Sequence, residues 1–193
     1  MSRPPIITAL LDANVLYPAP LRDYLLYLAS LGVYEPVWTT AIQDEWIRNL
    51  LKARPDIDKA ALEATRQSMD KAFPGSNITG YESLIESLSL PDSDDRHVLA
   101  AAIKAKAQVI VTANLKDFPA SALIPYAIQA EHPDTFVSEC IDRDRSKALK
   151  ALENQVKALK KPALPLETVL KNLEANGLVK SVAKLKGEPR PGP

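Results

Sequence analysis

Residues 90–117 read LPDSDDRHVLAAAIKAKAQVIVTANLKD and carry the pattern that decides the fold. A cluster of aspartates that includes Asp94 and Asp95 precedes an alanine-rich run of helical composition. The apolar strand-like stretch QVIVT follows, and then a loop that holds Asn114 and Asp117. A helix leading into a short apolar strand is typical of an α/β domain. Crowded carboxylates repel each other, so their position at the start of a helix needs an explanation.

The rest of the chain repeats this alternation of strands and helices. Strand-like stretches occur in PIITALLDANVL, VYEPVW, QVIVT and YAIQAEHP, and helical patterns lie between them. From PDTFVSECIDRDRSKALKALENQVKAL onwards the sequence reads as helix, which Pro162 and Pro165 interrupt. This order predicts an α/β fold with a mainly parallel sheet.

The predicted topology brings several polar residues to one edge of the sheet. Ligands bind beyond the carboxyl ends of the strands in open parallel sheets. Asp12 ends the first strand, Glu45 lies early in the helix after the second strand, and Asn114 and Asp117 follow QVIVT. Asp94 and Asp95 open a helix that precedes a strand. We expect the N-terminus of a helix in that position to point toward this edge less naturally than that of a helix that follows a strand.

Carboxylates gathered in one cleft need a cation or protons to neutralise them. Oxygen ligands without cysteine or histidine favour Mg²⁺ or Mn²⁺, and such a site can activate water for phosphodiester cleavage. The alternative is that each acid has a local structural role. Asp94 or Asp95 would then cap a helix, and Glu45 would be a solvated first-turn acid. Asp12, directly after an apolar strand, fits this alternative less well.

The sequences LLDANVLYPAPLRD, TTAIQDEWIRNL and PDSDDRHVLAAAIKAKAQVIVTANLKDFP, taken in this order, resemble the PIN domain family. The similarity covers about residues 5–140 and is closest to the branch that includes VapC-type toxins of bacterial toxin–antitoxin pairs. The resemblance implies a Mg²⁺- or Mn²⁺-dependent endoribonuclease with a central parallel sheet of about five strands flanked by helices. Residues 141–193 resemble the helical C-terminal extension of some longer VapC-like proteins.

The resemblance also implies roles for particular residues. The first acid of the family falls on Asp12, the helix glutamate on Glu45, and the third acid on Asp95 or, less favoured, on Asp94; Asp12, Glu45 and Asp95 would bind the metal. The fourth acid of the family follows a Thr or Ser by two residues. Here Thr112 is followed at that distance by Asn114, and Asp117 comes three residues later. Asn114 can still offer a carbonyl oxygen or orient a water molecule, and Asp117 completes the catalytic candidates.

Three further residues near the acids have two interpretations each. Asn14 either orients Asp12 or is a turn residue. Arg48 either meets a substrate phosphate or pairs on the surface with Asp44. His97 is either a proton shuttle or a polar residue of its helix.

Charge is distributed unevenly along a chain whose formal net charge is zero. Residues 1–140 hold 12 Lys and Arg against 18 Asp and Glu, whereas residues 141–193 hold 12 against 6. We therefore divide the chain into a nuclease-like domain, 5–140, and a basic helical extension, 141–193. The extension either contacts RNA phosphates or folds back on the acidic body.

Composition places the protein in a cytoplasmic setting. Cys140 is the single cysteine and excludes an internal disulfide. No apolar run approaches the roughly 20 residues of a membrane span, and the N-terminus lacks the layout of a signal peptide. We therefore expect no membrane association.

Two functions from different classes agree with these observations. The first is an endoribonuclease toxin whose partners are its RNA substrate, a cognate antitoxin protein and a second copy of itself in a homodimer. The second is a catalytically weak PIN-fold binding protein whose acidic cleft docks a basic partner peptide.

Overall fold

The fold was examined in a computed structural model that describes residues 6–187. Its strands and α-helices, in chain order, are β1 (Thr8–Leu11), α1 (Ala13–Leu16), α2 (Ala19–Ser30), β2 (Glu35–Val37), α3 (Thr40–Ala53), α4 (Lys59–Ala72), α5 (Glu82–Ile85), α6 (Arg96–Ala105), β3 (Val109–Val111), α7 (Ala120–Leu123), β4 (Gln129–Glu131), α8 (Pro133–Arg143), α9 (Arg145–Ala158), α10 (Leu166–Ala175) and α11 (Val179–Lys186). Short 3₁₀ turns lie at Ser93–Asp95, Leu115–Asp117 and Ile124–Tyr126.

The strands form one parallel sheet in the order β2-β1-β3-β4, which confirms the predicted α/β class. The strand number of about five that the family resemblance implied is wrong: residues 6–187 contain four strands in this sheet. The strand-like stretches read directly from the residues were also four. β1 lies in the middle, and its residues Ala9, Leu10 and Leu11 are fully buried because β2 and β3 flank it on both sides.

α6 corrects one directional expectation. The backbone N–H of Gln108, just past the end of α6, donates to the carbonyl of Thr8 at the start of β1. The C-terminal end of α6 therefore lies at the amino edge of the sheet, and its N-terminus points toward the carboxyl edge. The expectation that this direction is unnatural was wrong, because a helix that connects parallel strands runs antiparallel to them.

The chain forms two compact units that interleave in sequence. The sheet unit comprises residues 6–17 and 35–131, and the helical unit comprises residues 18–34 and 132–187. The division at residues 140 and 141 that we drew from the sequence stays a prediction. Every candidate site residue lies in the sheet unit.

The helical unit has its own apolar core and buried hydrogen bonds. The Tyr24 hydroxyl donates to the carbonyl of Ala148 at 3.1 Å, and the rings of Tyr34 and Phe136 meet edge to face at 4.9 Å. The first contact packs α2 against α9, and the second packs the segment between α2 and β2 against α8. No helix within residues 6–187 is both long and apolar enough to cross a membrane.

Helix caps define the boundaries within this unit. Asp144 interrupts the helix that the sequence predicted as continuous, with backbone angles of −154° and 85°. Its side chain accepts a hydrogen bond from the N–H of Lys147 and so begins α9. Asp134 lies in the first turn of α8, and its carboxylate accepts from the backbone N–H groups of Lys180 and Ser181. A buried carboxylate thus joins the starts of α8 and α11.

Candidate active site

Asp12 is the centre of the candidate site. It follows β1 directly, is 5% exposed, and caps the short helix α1. One carboxylate oxygen, Oδ1, accepts from the N–H of Ala13 at 2.7 Å. The other, Oδ2, accepts from the side-chain amide of Asn14 at 2.6 Å and from the hydroxyl of Thr112 at 2.8 Å. These bonds fix the orientation of a carboxylate at the carboxyl edge of the central strand.

Thr112 connects the ends of β1 and β3. While its hydroxyl donates to Asp12, its oxygen accepts from the Asn14 amide at 2.9 Å and from the N–H of Asn114 at 3.0 Å. The side-chain carbonyl oxygen of Asn14, Oδ1, accepts in turn from the backbone N–H of Ala113 at 2.9 Å. Asn14 therefore orients Asp12, as one of its two interpretations held, and also holds the loop after β3.

Asn114 connects this network to a further acid. Its side-chain amide donates to Oδ2 of Asp117 across the 3₁₀ turn Leu115–Asp117. The asparagine in the position of the family's fourth acid thus holds a carboxylate three residues later.

Glu45 approaches from α3 on the neighbouring connection. The hydroxyl of Thr39 accepts from the N–H of Ile42 at 3.1 Å and begins α3 at this edge of the sheet. Glu45 Oε2 lies 3.9 Å from Nε2 of His97, and both side chains are partly buried. The other ring nitrogen of His97, Nδ1, is buried without a hydrogen-bond partner among residues 6–187.

Arg48 stays exposed one turn after Glu45. Burial and the charge of Asp12 raise the pKa of the Glu45 carboxyl, and the charge of Arg48 opposes part of that rise. The expected surface pair between Arg48 and Asp44 is not formed. Asp44 pairs instead with Arg66 of α4 at 2.6 Å. Arg48 therefore has no acidic partner within 4 Å in the described chain, and its guanidinium is accessible beside the acids.

Within the aspartate cluster before α6, Asp92 caps the 3₁₀ turn, whereas Asp95 makes no capping bond. Oδ1 of Asp92 accepts from the N–H of Asp94 at 2.9 Å, so the capping role falls on Asp92. The structural alternative, in which Asp94 or Asp95 supplies the cap, is wrong for the side-chain bond, because Asp92 stands two residues before Asp94 and its carboxylate reaches that N–H. Asp94 is exposed, whereas Asp95 is partly buried and its carboxylate makes no capping bond.

Electrostatics group Asp95 with the other acids. Burial raises the pKa of the Asp95 carboxyl to about 7, and negative charge adds to the effect from Asp12, Asp92, Asp117 and Glu45. Burial also raises the pKa of Asp12, against the opposing effect of its hydrogen bonds, and the pKa of Glu45, with a further contribution from Asp12. The carboxylates are close enough to resist simultaneous ionisation, which is the condition that a bound cation relieves.

The donor chemistry of this site fits a hard divalent cation. The acids that interact are carboxylates, and no sulfur ligand lies among them. Within residues 6–187, no group of three or more His, Cys, Asp or Glu side chains qualifies as a ready metal-binding cluster. Carboxylates without sulfur suit a hard cation such as Mg²⁺, which usually keeps several water molecules in its shell.

An apolar groove adjoins the loop of Asp117. It has a volume of about 410 Å³ and lies beside the edge strand β4. Leu115 and Ile124 line it and are 43% and 71% exposed. The remaining lining residues are Phe118, Ala120, Leu123, Ile128, Gln129 and Ala130.

The parallel sheet with acids converging at its carboxyl edge defines the class of protein. A family model described as PIN domain matches residues 8–116, and the chain belongs to this family. A second model, described as VapC50 C-terminal domain, matches residues 133–187. The resemblance drawn from the sequence is confirmed.

Among curated proteins, the chain is similar to "Putative ribonuclease VapC50" of Mycobacterium tuberculosis (strain ATCC 25618 / H37Rv). The two are 52% identical over 63 residues, which is 33% of this chain and 37% of the relative. The alignment thus spans little more than a third of the relative's length. No solved structure matches the chain.

Proposed function

We propose that the protein is a Mg²⁺- or Mn²⁺-dependent endoribonuclease that hydrolyses RNA phosphodiester bonds, and that it acts in the cytoplasm as the toxin of a bacterial type II toxin–antitoxin pair. The observation that carries the proposal is the buried Asp12 carboxylate at the carboxyl edge of β1, which hydrogen bonds from Ala13, Asn14 and Thr112 hold in place. Asp95 and Glu45 lie close enough for their charges to interact with it. Membership of the PIN domain family and similarity to a protein named as a ribonuclease support the same reaction.

We assign cation binding to Asp12, Glu45 and Asp95, with part of the contact made through bound water, because the metal-free side chains form no ready three-ligand cluster within residues 6–187. Asp12 is suited to this role because Ala13, Asn14 and Thr112 fix its carboxylate before any ligand arrives. When bound, the cation supplies charge neutralisation, a water molecule of lowered pKa and stabilisation of the departing oxygen.

The remaining residues act on the nucleic acid or on the acids themselves. Asn114 holds Asp117, and the Asp117 carboxylate lies close enough to Asp95 to raise its pKa. Arg48 is exposed beside Glu45 and is placed to meet a phosphate. Asp94 is exposed on the same turn as Asp95, and its charge acts on His97 rather than on Asp95, so we assign it no direct role in cation binding.

The test is cleavage of a panel of labelled structured RNAs by purified protein with Mg²⁺, with Mn²⁺ and with EDTA. We expect cleavage with either metal, none with EDTA, and a loss of about 100-fold or more in Asp95→Asn. Asp94→Asn is the matched control, because it changes the same chemical group on the adjacent, exposed residue. Cleavage that survives in EDTA, or that falls equally in both variants, would contradict the proposal.

A second function has its own observation. The apolar groove at Leu115 and Ile124 lies next to an acidic cluster, and a peptide with apolar and basic side chains would complement both surfaces. An antitoxin that places a basic side chain among the acids would occupy this region whether or not the protein cleaves RNA. Binding of a basic peptide by a protein without metal-dependent cleavage would favour this function. A homodimer stays a proposal, to be tested by sedimentation.

A further inference from the structure

A row of exposed lysines follows one face of α9 and the segment after it. Lys150 and Lys157 are 52% and 70% exposed. They lie two helical turns apart and therefore on the same side of the helix. Lys160 and Lys161 continue beyond the end of α9 at Ala158, and both are exposed. We call these four residues the α9 lysine row.

The row carries more positive than negative charge. The only acid between its first and last members is Glu153. Its Oε2 lies 3.1 Å from Nζ of Lys150 and 3.9 Å from Nζ of Lys157. Lys160 and Lys161 have no acidic side chain within 4 Å in the part of the chain that the structure describes. Exposed pairs such as those of Glu153 contribute little to stability, so its two lysines can exchange their partner for another anion.

Helix stabilisation does not explain the whole row. A lysine in the last turn of a helix interacts favourably with the negative end of its dipole, and Lys157 occupies that place in α9. Lys160 and Lys161 lie past the helix. The backbone of Lys160 pairs with that of Ala163 in an isolated bridge, and this pairing does not use the lysine side chain.

Lys184 and Lys171 of the helical unit differ from the row. Lys184 is 16% exposed; its Nζ donates to Asp142 at 2.5 Å and to the carbonyl of Ser138 at 3.2 Å. That lysine ties α11 to α8. Lys171 is exposed on α10, but Glu167 and Glu174 lie one turn to either side of it. Lys171 is therefore a matched control, with similar exposure in the same unit and a locally negative surrounding.

We propose that the α9 lysine row binds the phosphate backbone of RNA without regard to sequence. The inference deepens the proposed ribonuclease function and rests on it for the identity of the polyanion. Its physical reason is charge: the sheet unit has a net negative formal charge and repels a phosphate chain, and the exposed lysines of the helical unit supply attraction. The two units carry opposite formal charges over their full sequences. Residues 18–34 and 132–193 hold 13 Lys and Arg against 9 Asp and Glu, and the remaining residues hold 11 against 15.

The test measures binding of full-length protein to a labelled single-stranded oligouridylate in EDTA, over a series of salt concentrations. The variant carries Lys157→Gln, Lys160→Gln and Lys161→Gln together. Loss of three phosphate contacts should make the slope of log affinity against log salt shallower by about 2 and weaken binding about 10- to 100-fold at low salt. Lys171→Gln should leave affinity and slope unchanged. Thermal melting verifies that each variant folds.

Three results would overturn the inference. The first is a triple variant whose slope of log affinity against log salt equals that of wild type, and the second is an equal loss of RNA affinity in Lys171→Gln. The third is a triple variant that binds RNA normally but no longer binds polyaspartate, which would assign the row to an acidic protein. Because binding is measured without metal, it does not depend on cleavage. A wild-type protein that binds RNA through the row but never cleaves it would refute the proposed function and leave the row in place. If wild type cleaves RNA but the triple variant keeps the wild-type salt slope, the proposed function stands and the inference about the row is refuted.

Discussion

Replacing Asp95 with asparagine should make the metal-free protein more stable at alkaline pH and leave its stability unchanged at acidic pH. The pKa of this carboxyl is about 7 in the folded protein, against an ordinary value of 3.8. Between these values the folded state holds a proton that the unfolded state has released. The free energy of unfolding therefore falls as pH rises through this window. Asparagine cannot ionise, so this contribution to the fall in the free energy of unfolding is absent from the variant.

The size of the effect follows from the raised pKa and the exposure of the group. The difference between the two pKa values corresponds to about 4 kcal/mol in the free energy of unfolding if solvent screens none of it. Asp95 is only partly buried, and solvent screening reduces the value to about 1 kcal/mol. For a chain of this length, that corresponds to a rise in Tm of about 2–4 °C. The rise should be fully present near about pH 8, smaller near about pH 5, and absent near about pH 3, where Asp95 is protonated in both the folded and the unfolded state.

Thermal melting of wild type, Asp95→Asn and Asp94→Asn in EDTA at these pH values is the assay. Asp94 is exposed and serves as the control, so its variant should melt like wild type under all conditions. Saturating Mn²⁺ should then raise the Tm of wild type and of Asp94→Asn, but raise that of Asp95→Asn far less, because a ligand stabilises only the state that binds it. A gain of equal size at all these pH values, or in both variants, would refute the assignment of Asp95 to the coupled acids.

Three other substitutions test separate parts of the structure. Asp12→Asn should abolish RNA cleavage and change the melting temperature little, since the relief of repulsion is offset by the loss of one acceptor oxygen; normal cleavage or an unfolded variant would show that Asp12 is structural. Thr112→Val removes the donor to Asp12 and the acceptor for the Asn114 N–H, so urea unfolding should show a loss of about 1–3 kcal/mol together with weaker cleavage, and unchanged values would contradict the network. Asp134→Ala should cost about 2–4 kcal/mol by the same measurement, because two backbone N–H groups of α11 lose their acceptor; a stable variant would mean that water replaces it.

Local sequence signals predicted the features that depend on neighbouring residues. Thr39 caps α3 and Asp58 caps α4, and such caps are local signals because a cap acts over two or three residues. The strand-like stretches were read correctly for the same reason. The family resemblance supplied the fifth strand that the described chain lacks. Asp144 was missed as a break because it ends one helix and begins the next without a proline or glycine.

The candidate site was predictable to the extent that topology alone decides it. Parallel strands place Asp12, Thr112 and the residues that follow them at a common edge. The hydrogen bonds of Thr112 and the capping role of Asp92 required side-chain geometry, and spacing could not distinguish the aspartates of one cluster. The roles of Asp12, Glu45 and Asp95 in catalysis stay a prediction until the variants are measured.

The interleaving of the two units was beyond any local signal and changes how the C-terminal helices should be studied. Residues 18–34 precede most of the sheet unit in sequence, yet Tyr24 and Tyr34 pack and bond with residues of α8 and α9. The side chain of Gln155 also donates to the carbonyl of Pro20 at 2.9 Å. A protein truncated near residue 140 would leave the apolar face of α2 without its partners, and loss of activity would then report misfolding. Substitution of exposed lysines leaves these contacts intact, so it separates RNA binding by the C-terminal helices from their role in the core.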